Sequence, residues 1–508
     1  MQYILFIIYA GLFLLQSCGK KKEYSTNPQD PYLKDQWHLE MLDIKDSWNK
    51  NIKGQNVNVL MVDDGVQIAH PDLKQNMTTS LSYNFSNKTN DPTELEYPHG
   101  TMVAGMILAR DHNFEGISGI APRATGIGYN LLAEDNSTLS NIIVSMSRNI
   151  DKIHVSNNSW GFDDGFGTFN FASDQIISSL KYATEYGRNG KGTIFVWAAG
   201  NGGTNGVDQS NYDGLANQPY VITVGAVGVD YLKADYSEIG ANILVCAPSK
   251  KKEGELGLLT TDLTLEYGKN AKNKKYLSQE VSNTNYTSSF DGTSGAAPIV
   301  SGVIALILQK HPNFSWRDVR LVLAQSAKKI DLSDSDWIEN AAGFLINHSY
   351  GFGLVNVQNA LDLASTWSRK ITPMKTYTKL LAISGSSGDI NDNTISSSMT
   401  VTQSNITKIE FISVTVNLKH TDWGNLNIYL QRKIGDTTWY DVLSASHRCL
   451  EEDLVTPTPC LVPLNTWTFG SVRHMGEEAN GTWELIISDT VTGNVGKISS
   501  WSLTFYGE

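Results

Sequence analysis

Val57-Asn58-Val59-Leu60-Met61-Val62-Asp63-Asp64-Gly65 is the stretch that decides how this chain folds. A short apolar run with three valines, closed by acid and glycine, reads as a strand buried on both faces, the kind a parallel sheet is made of. Outward from it, Thr193-Ile194-Phe195-Val196-Trp197-Ala198-Ala199 and Tyr220-Val221-Ile222-Thr223-Val224 repeat the pattern and are bounded in the same way. Helical stretches accompany them. Residues 301–309 are apolar, and residues 316–328 carry Val319, Leu321, Val322 and Leu323 for packing. Alternating strands and helices over residues 36–367 predict an α/β domain with a mostly parallel sheet and flanking helices.

Beyond residue 371 the texture changes to Thr/Ser-rich alternation, as in Lys408-Ile409-Glu410-Phe411-Ile412-Ser413-Val414-Thr415-Val416 and Leu426-Asn427-Ile428-Tyr429-Leu430. Short strands with few helical signals predict an all-β, jelly-roll-like sandwich over residues 372–508. A length of 508 residues agrees with two or three domains. The excess of 52 acidic over 40 basic residues argues against nucleic acid as a partner and leaves room for basic substrates or cations. The four cysteines, Cys18, Cys246, Cys449 and Cys460, are too few for a disulfide scaffold. Cys449 and Cys460 are near enough in sequence to pair, but spacing alone does not set the Cα separation a bridge needs.

Residues 4–15 form an apolar run too short to span a bilayer comfortably and suited to a signal-peptide core. It ends in Leu15-Gln16-Ser17-Cys18, followed by Gly19-Lys20-Lys21-Lys22. This resembles a bacterial lipoprotein signal, in which cleavage after residue 17 leaves Cys18 as a lipid-bearing N-terminus. The alternative is an ordinary secretory signal or an uncleaved anchor, and either way the chain is exported. Residues 19–35, polar and with Asn27-Pro28 and Asp30-Pro31, read as a tether.

The chemistry lies in loops that mean little one at a time. Asp63-Asp64-Gly65 alone is a turn, His99-Gly100-Thr101 alone opens a helix, and Ser294 in Gly292-Thr293-Ser294 alone is a helix cap. Together, Asp, His and Ser in that chain order form a known arrangement of a serine-nucleophile triad. Ser294 would be the nucleophile, His99 its base, and Asp63 the group that fixes the imidazole tautomer and steadies the imidazolium. Asn201, in Ala198-Ala199-Gly200-Asn201-Gly202-Gly203, would donate to the oxyanion beside the Ser294 N–H.

These segments, with Asn158-Ser159-Trp160-Gly161 and Gly292-Thr293-Ser294-Gly295-Ala296-Ala297-Pro298, resemble in order the subtilisin-like serine proteases, and specifically their kexin/furin (proprotein-convertase) branch. Asp64 beside Asp63, Phe195-Val196-Trp197, Ser315-Trp316-Arg317-Asp318-Val319 and His348-Ser349-Tyr350-Gly351-Phe352-Gly353-Leu354 carry the branch assignment. In the β region, residues 416–426, Gly481-Thr482-Trp483-Glu484-Leu485 and Ser500-Trp501-Ser502-Leu503-Thr504-Phe505-Tyr506-Gly507 resemble that branch's P domain.

The resemblance implies an endopeptidase for protein or peptide substrates that cuts after Arg or Lys, preferably at dibasic pairs. Asp164 and Asp213 would line the first acidic pocket, Asp64 and Glu96 the second. Ile142 and Asn170 stand where furin carries acids further out, so a multibasic requirement is not implied. Calcium is the implied metal, on Asp30, Asp72 and Asn113 at one site and on Asp164, Asp208 and Glu238 at another. Asp30 follows Cys18 within a dozen residues, too few for the branch's inhibitory pro-domain, so folding is expected to be unassisted or served by a separate chaperone-inhibitor. A Lys- and Asn-rich stretch over residues 264–282 is longer than the branch pattern and reads as a surface insertion or a loop beside the cleft. The competing functions are a protease of broad subtilisin-like specificity and a surface binding lipoprotein whose protease domain is silent.

Overall fold

The computed structural model describes residues 30–133, 136–273, 280–369, 373–434 and 437–508. The signal segment, Cys18, residues 19–29 of the tether and residues 274–279 of the inserted stretch lie outside the described residues.

Seven strands form the first domain's sheet: β1 Asn58–Asp63, β2 Tyr83–Asn84, β3 Thr125–Asn130, β4 Val155–Asn158, β5 Ile194–Ala198, β6 Val221–Val227 and β7 Ile243–Pro248. Their order is β2-β3-β1-β4-β5-β6-β7 and every pairing is parallel. Strands β4 to β7 are buried along their whole length, which is why β5, β6 and β7 run largely apolar without alternating, whereas β4, Val155-Ser156-Asn157-Asn158, buries hydrogen-bonded polar side chains.

A central helix, Thr293–Lys310, packs against strands of this sheet and is buried almost throughout. It begins eight residues before the apolar stretch that announced it. Gly295, Ala296, Ala297 and Pro298 carry little hydrophobic signal, yet small residues suit a helix enclosed on all sides. The following helix, Trp316–Ser326, is fixed at its start by a capping box between Ser315 and Asp318.

The boundary of the tether needs correcting. Asp30 is buried, Tyr32 N–H bonds to Gly116 O at 2.7 Å, and residues 33–35 form a helical turn. Residues 30–35 therefore belong to the first domain. Their Pro/Asp composition reads as linker, but Asp30 accepts the backbone N–H groups of His112 and Asn113.

The second domain is two antiparallel sheets packed face to face. One contains Lys375–Ala382, Val495–Gly507, Ile409–His420 and Thr466–Ser471, and the other Thr394–Val401, Gly481–Asp489, Leu426–Ile434 and Thr437–Ser444. Trp423, Trp467, Trp483, Trp501, Phe469 and Phe505 fill the space between them. Cys449 and Cys460 do pair, with Cα atoms 5.1 Å apart, so folding supplies the geometry that spacing left open. The domains meet through buried charge. Arg317 grips Glu410 through two bonds of 2.9 and 2.7 Å, and Arg369 reaches the same carboxylate at 2.6 Å.

Candidate active site

Every predicted catalytic group sits at the C-terminal end of a strand or at the start of a helix, where a parallel sheet gathers its loops. Asp63 ends β1 and is 1% exposed. Its Oδ1 accepts the Asp64 N–H at 2.9 Å and lies 2.8 Å from His99 Nδ1. That contact makes Nδ1 the protonated nitrogen of the neutral ring and leaves Nε2 as the base. Burial on its own would push the imidazole down, but the Asp63 charge and hydrogen bond outweigh it and carry the group up to about 9. Asp64 adds to that rise and Lys269 opposes it.

Ser294 lies in the first turn of the Thr293–Lys310 helix, after Gly292, whose φ of +81° admits glycine readily and other residues only under strain. Pro298 has no N–H to offer the Ser294 carbonyl one turn back. That oxygen instead accepts from Ser159 Oγ at 3.0 Å, while Ser294 Oγ donates to Ser159 O at 3.1 Å. Asn157 Nδ2 and Ser301 Oγ continue the network at 2.9 and 2.8 Å. The Ser294 hydroxyl thus rests on Ser159 O and would leave that bond to reach His99. Such looseness is usual before substrate binds.

Asn201 follows β5. Its Oδ1 accepts from Thr293 N at 2.8 Å and Thr293 Oγ1 at 2.9 Å, which orients the amide with nitrogen as its donor end. Tyr236 OH receives the Gly292 N–H at 3.1 Å and steadies the same turn. His99, Asn201, Ser294, Phe290 and Lys269 line one cleft of about 350 Å³. Sequence reading assigned no role to Ser159, Thr293, Tyr236 or Lys269. Ser159 stood in a quoted motif and Lys269 in the insertion, but their partners lie far away along the chain.

The acids predicted for substrate binding fall into three places. Asp164 and Asp213 line a shared pocket with Phe162, Asn170 and Gly200. Burial raises both carboxyls, Asp213 to about 6, and each is further raised by a neighbouring acid. Asp64 is 8% exposed and holds the start of the His99 helix, accepting His99 N–H at 3.0 Å and Gly100 N–H at 2.7 Å. Glu96 is exposed on the loop before that helix. Of the outer positions, Ile142 is half-buried on a helix, and Asn170 pairs by its main chain with Tyr212 and Gly214.

Asp164, Asp208 and Glu238 bring ligand oxygens within 4.8 Å of one another. Burial raises all three, Asp208 to about 6 and Glu238 well above the carboxylate range; the Asp164 charge adds to the rise of Asp208, and the Asp164 and Asp208 charges add to that of Glu238. Among the described residues no Lys or Arg pairs with them. A Cβ on Gly200, whose φ is +107°, would stand 2.3 Å from Glu238 Oε1, so the glycine clears the space this carboxylate occupies. Hard oxygens converging without a counter-charge fit a calcium ion.

Asp30 and Asp72 also converge, raised by burial to about 6 and about 7. Asn113 presents Nδ2 to Asp72 Oδ1 at 2.7 Å while its oxygen accepts Glu115 N–H at 2.9 Å. Those two carboxylates fit a cation. Asn113 as oriented serves as their hydrogen-bonding clasp, and its amide would have to reverse to become a ligand.

Comparison with known proteins gives the same outline. A profile described as the subtilase family matches residues 54–353, and one described as the proprotein convertase P-domain matches residues 462–505. The chain is 31% identical to human proprotein convertase subtilisin/kexin type 7 over 96% of its own length and 61% of the relative's. It is also 31% identical to a dibasic-processing endoprotease of Schizosaccharomyces pombe, covering 94% of this chain and 65% of that one. The chain thus spans about three fifths of the length of the curated relatives it matches. A solved serine protease of Aeromonas sobria superposes with a TM-score of 0.84 at 26% identity, covering 95% of this chain and 96% of that one. The same protease has been solved in complex with a chaperone, ORF2.

Proposed function

The chain belongs to the subtilase family and carries a proprotein-convertase P domain, and from that premise we propose that it is a calcium-dependent serine endopeptidase cutting after Arg or Lys, preferably at dibasic pairs. The observation that carries this reading is the 2.8 Å Asp63–His99 contact opening onto the cleft that holds Ser294 and Asn201, beside a pocket whose lining acids include Asp164 and Asp213.

His99 Nε2 takes the Ser294 proton as the hydroxyl leaves Ser159 and attacks the scissile carbonyl. The imidazolium is held by Asp63. Asn201 Nδ2 and Ser294 N–H receive the oxyanion, where one donor is worth ~3–4 kcal/mol of barrier. His99 then protonates the departing amine, and water releases the acyl group by the same steps reversed. Asp164 and Asp213 would receive the guanidinium or ammonium before the bond, and their raised carboxyls ionise on meeting that charge. Asp64 and Glu96 would form the second subsite, with Asp64 also holding the His99 helix.

Calcium, when bound, would supply the counter-charge that lets Asp164, Asp208 and Glu238 ionise together, and Asp30 with Asp72 would form a second site. Cys18 would carry the lipid that tethers the exported protein to a membrane. A separate chaperone-inhibitor is the proposed folding partner, a reading supported by the Aeromonas sobria serine protease having been solved in complex with a chaperone.

The test pairs fluorogenic peptides ending in Lys-Arg and in Ala-Phe, with wild type and Ser294→Ala, in calcium and in chelator. Cleavage of the basic peptide alone, lost with Ser294→Ala and with chelator, is expected. Equal cleavage of both would keep the triad and overturn the acidic-pocket reading, in favour of broad specificity. Silence of the folded protein on both would favour the binding lipoprotein.

A further inference from the structure

The wall of the acidic pocket is not finished by the catalytic domain. We propose that His447, in the second domain, is a positioning residue that braces both walls of the first specificity pocket and, through them, the Asp208 cation site. This deepens the reading above and rests on it for the substrate side of its test.

Two segments shape the pocket. The Gly165–Gly167 loop follows Asp164, and Tyr212 precedes Asp213. His447 touches both. Its Nε2 lies 2.9 Å from Gly167 O, and its ring stacks on Tyr212 with centroids 4.7 Å apart and planes at 27°. The Tyr212 hydroxyl lies 3.2 Å from His447 Nδ1 and 2.8 Å from Ser444 Oγ. Nδ1 also lies 2.9 Å from Ala445 O, so the neutral ring donates to one of two carbonyls; with the proton on Nε2, it donates to Gly167 O and accepts from Tyr212. Burial keeps the imidazole below its ordinary range, so one such neutral form is what the site holds.

The rest of the grip is built around that residue. Leu450 N–H bonds to Phe166 O at 2.9 Å, and Cys449 Sγ lies 2.9 Å from Gly167 O. The Cys449–Cys460 bridge closes the short hairpin that delivers both contacts. Gly167 has φ +70°, and a Cβ there would lie 2.6 Å from Arg448 O and 3.0 Å from His447 Cδ2, so the loop seats directly on the second domain. From the other side of the loop, the Gly165 and Gly167 N–H groups bond to the two Asp208 oxygens. One residue, Gly167, thus connects His447 to a proposed calcium ligand. Phe169, just beyond, packs among Tyr212, Trp423, Trp467 and Phe469, which anchors the same loop in the second domain's core.

The experiment uses the full chain with His447→Ala and His447→Gln, since a Gln amide can both donate to Gly167 O and accept from Tyr212. Peptides with Arg or Phe before the scissile bond give kcat and KM, and a terbium luminescence titration reads the cation site without any turnover. His447→Ala is expected to raise KM for the Arg peptide about tenfold, the scale of one lost hydrogen bond, with kcat within about threefold. Terbium affinity should fall with it, and His447→Gln should recover most of both. Unchanged KM and unchanged terbium affinity in His447→Ala would overturn the proposal, as would a parallel loss that Gln does not rescue. If wild type fails to prefer Arg, the specificity reading falls, yet the terbium titration still decides whether His447 braces the site.

Discussion

Glu410→Gln tests how the two domains are joined. Glu410 is 2% exposed and accepts Arg317 Nε and Nη2 at 2.9 and 2.7 Å and Arg369 Nη2 at 2.6 Å. Burial pushes this carboxyl up, but Arg317 and Arg369 outweigh it and hold the group below the ordinary glutamate range. Removing one partner of a buried pair costs about 3–5 kcal/mol, because the other charge stays buried without compensation. Arg369 also bonds to Glu508 and Arg317 to Gly507 O, so each cation keeps a contact and the lower figure applies. About 3 kcal/mol at roughly 2 °C per kcal/mol gives a melting point lower by about 6 °C.

Calorimetry on wild type, Glu410→Gln and the double variant Arg317→Met with Glu410→Leu reads this directly. The double variant should recover most of the loss, since an apolar pair of similar volume often replaces a buried ion pair without cost. The pH dependence has a definite sign. A folded-state pKa below the unfolded value contributes stability above about pH 4.5, and that contribution is lost as pH falls through the folded value. The gap between wild type and Glu410→Gln should therefore close in acid. A Glu410→Gln melting point within 1 °C of wild type at neutral pH, or a gap that widens in acid, would refute the reasoning.

Asn201→Ala should lower kcat about 10²–10³-fold with KM within about threefold, and a change carried mainly by KM would count against the oxyanion role. Because His99 is raised to about 9 and Lys269 opposes that rise, the acid limb of kcat/KM should lie well above an ordinary imidazole's. Lys269→Ala should move that limb to still higher pH, and a downward move would be the wrong sign. The same shift makes the Asp63–His99 contribution to stability complete below about pH 6.5 and lost as pH rises through about 9. Calcium should raise the melting point of wild type. Glu238→Gln should abolish that increment yet melt higher than wild type in chelator, because it removes one of three crowded carboxylates; a lower melting point there would contradict the repulsion argument.

Much of the site was legible because subtilase chemistry lies in short local segments. Asp63 and Asn201 stand at or just after strand ends that the hydrophobic pattern locates, while His99 and Ser294 stand in short motifs at helix starts. The trio Asp164, Asp208 and Glu238 came from resemblance, and folding does bring those carboxylates together. What stayed hidden depends on partners distant in sequence. Ser159 matters because Pro298 lacks an N–H, Thr293 because it turns the Asn201 amide, and His447 because the second domain closes over the Gly165–Gly167 loop. The early start of the Thr293–Lys310 helix was missed because glycine and alanine carry little apolar signal where tight packing needs small side chains.

The sequence by itself determined the two architectures, since burial pattern and local turn chemistry are written residue by residue, and its ordered motifs carried the resemblance that gave the branch and the candidate triad. Tertiary structure alone decided the Cys449–Cys460 bridge, the place of residues 30–35 in the catalytic domain, the engagement of Asp64 with the His99 helix, and the bracing of one domain's pocket by the other. Those are distances between segments far apart along the chain, and no spacing along a chain fixes a distance across a fold.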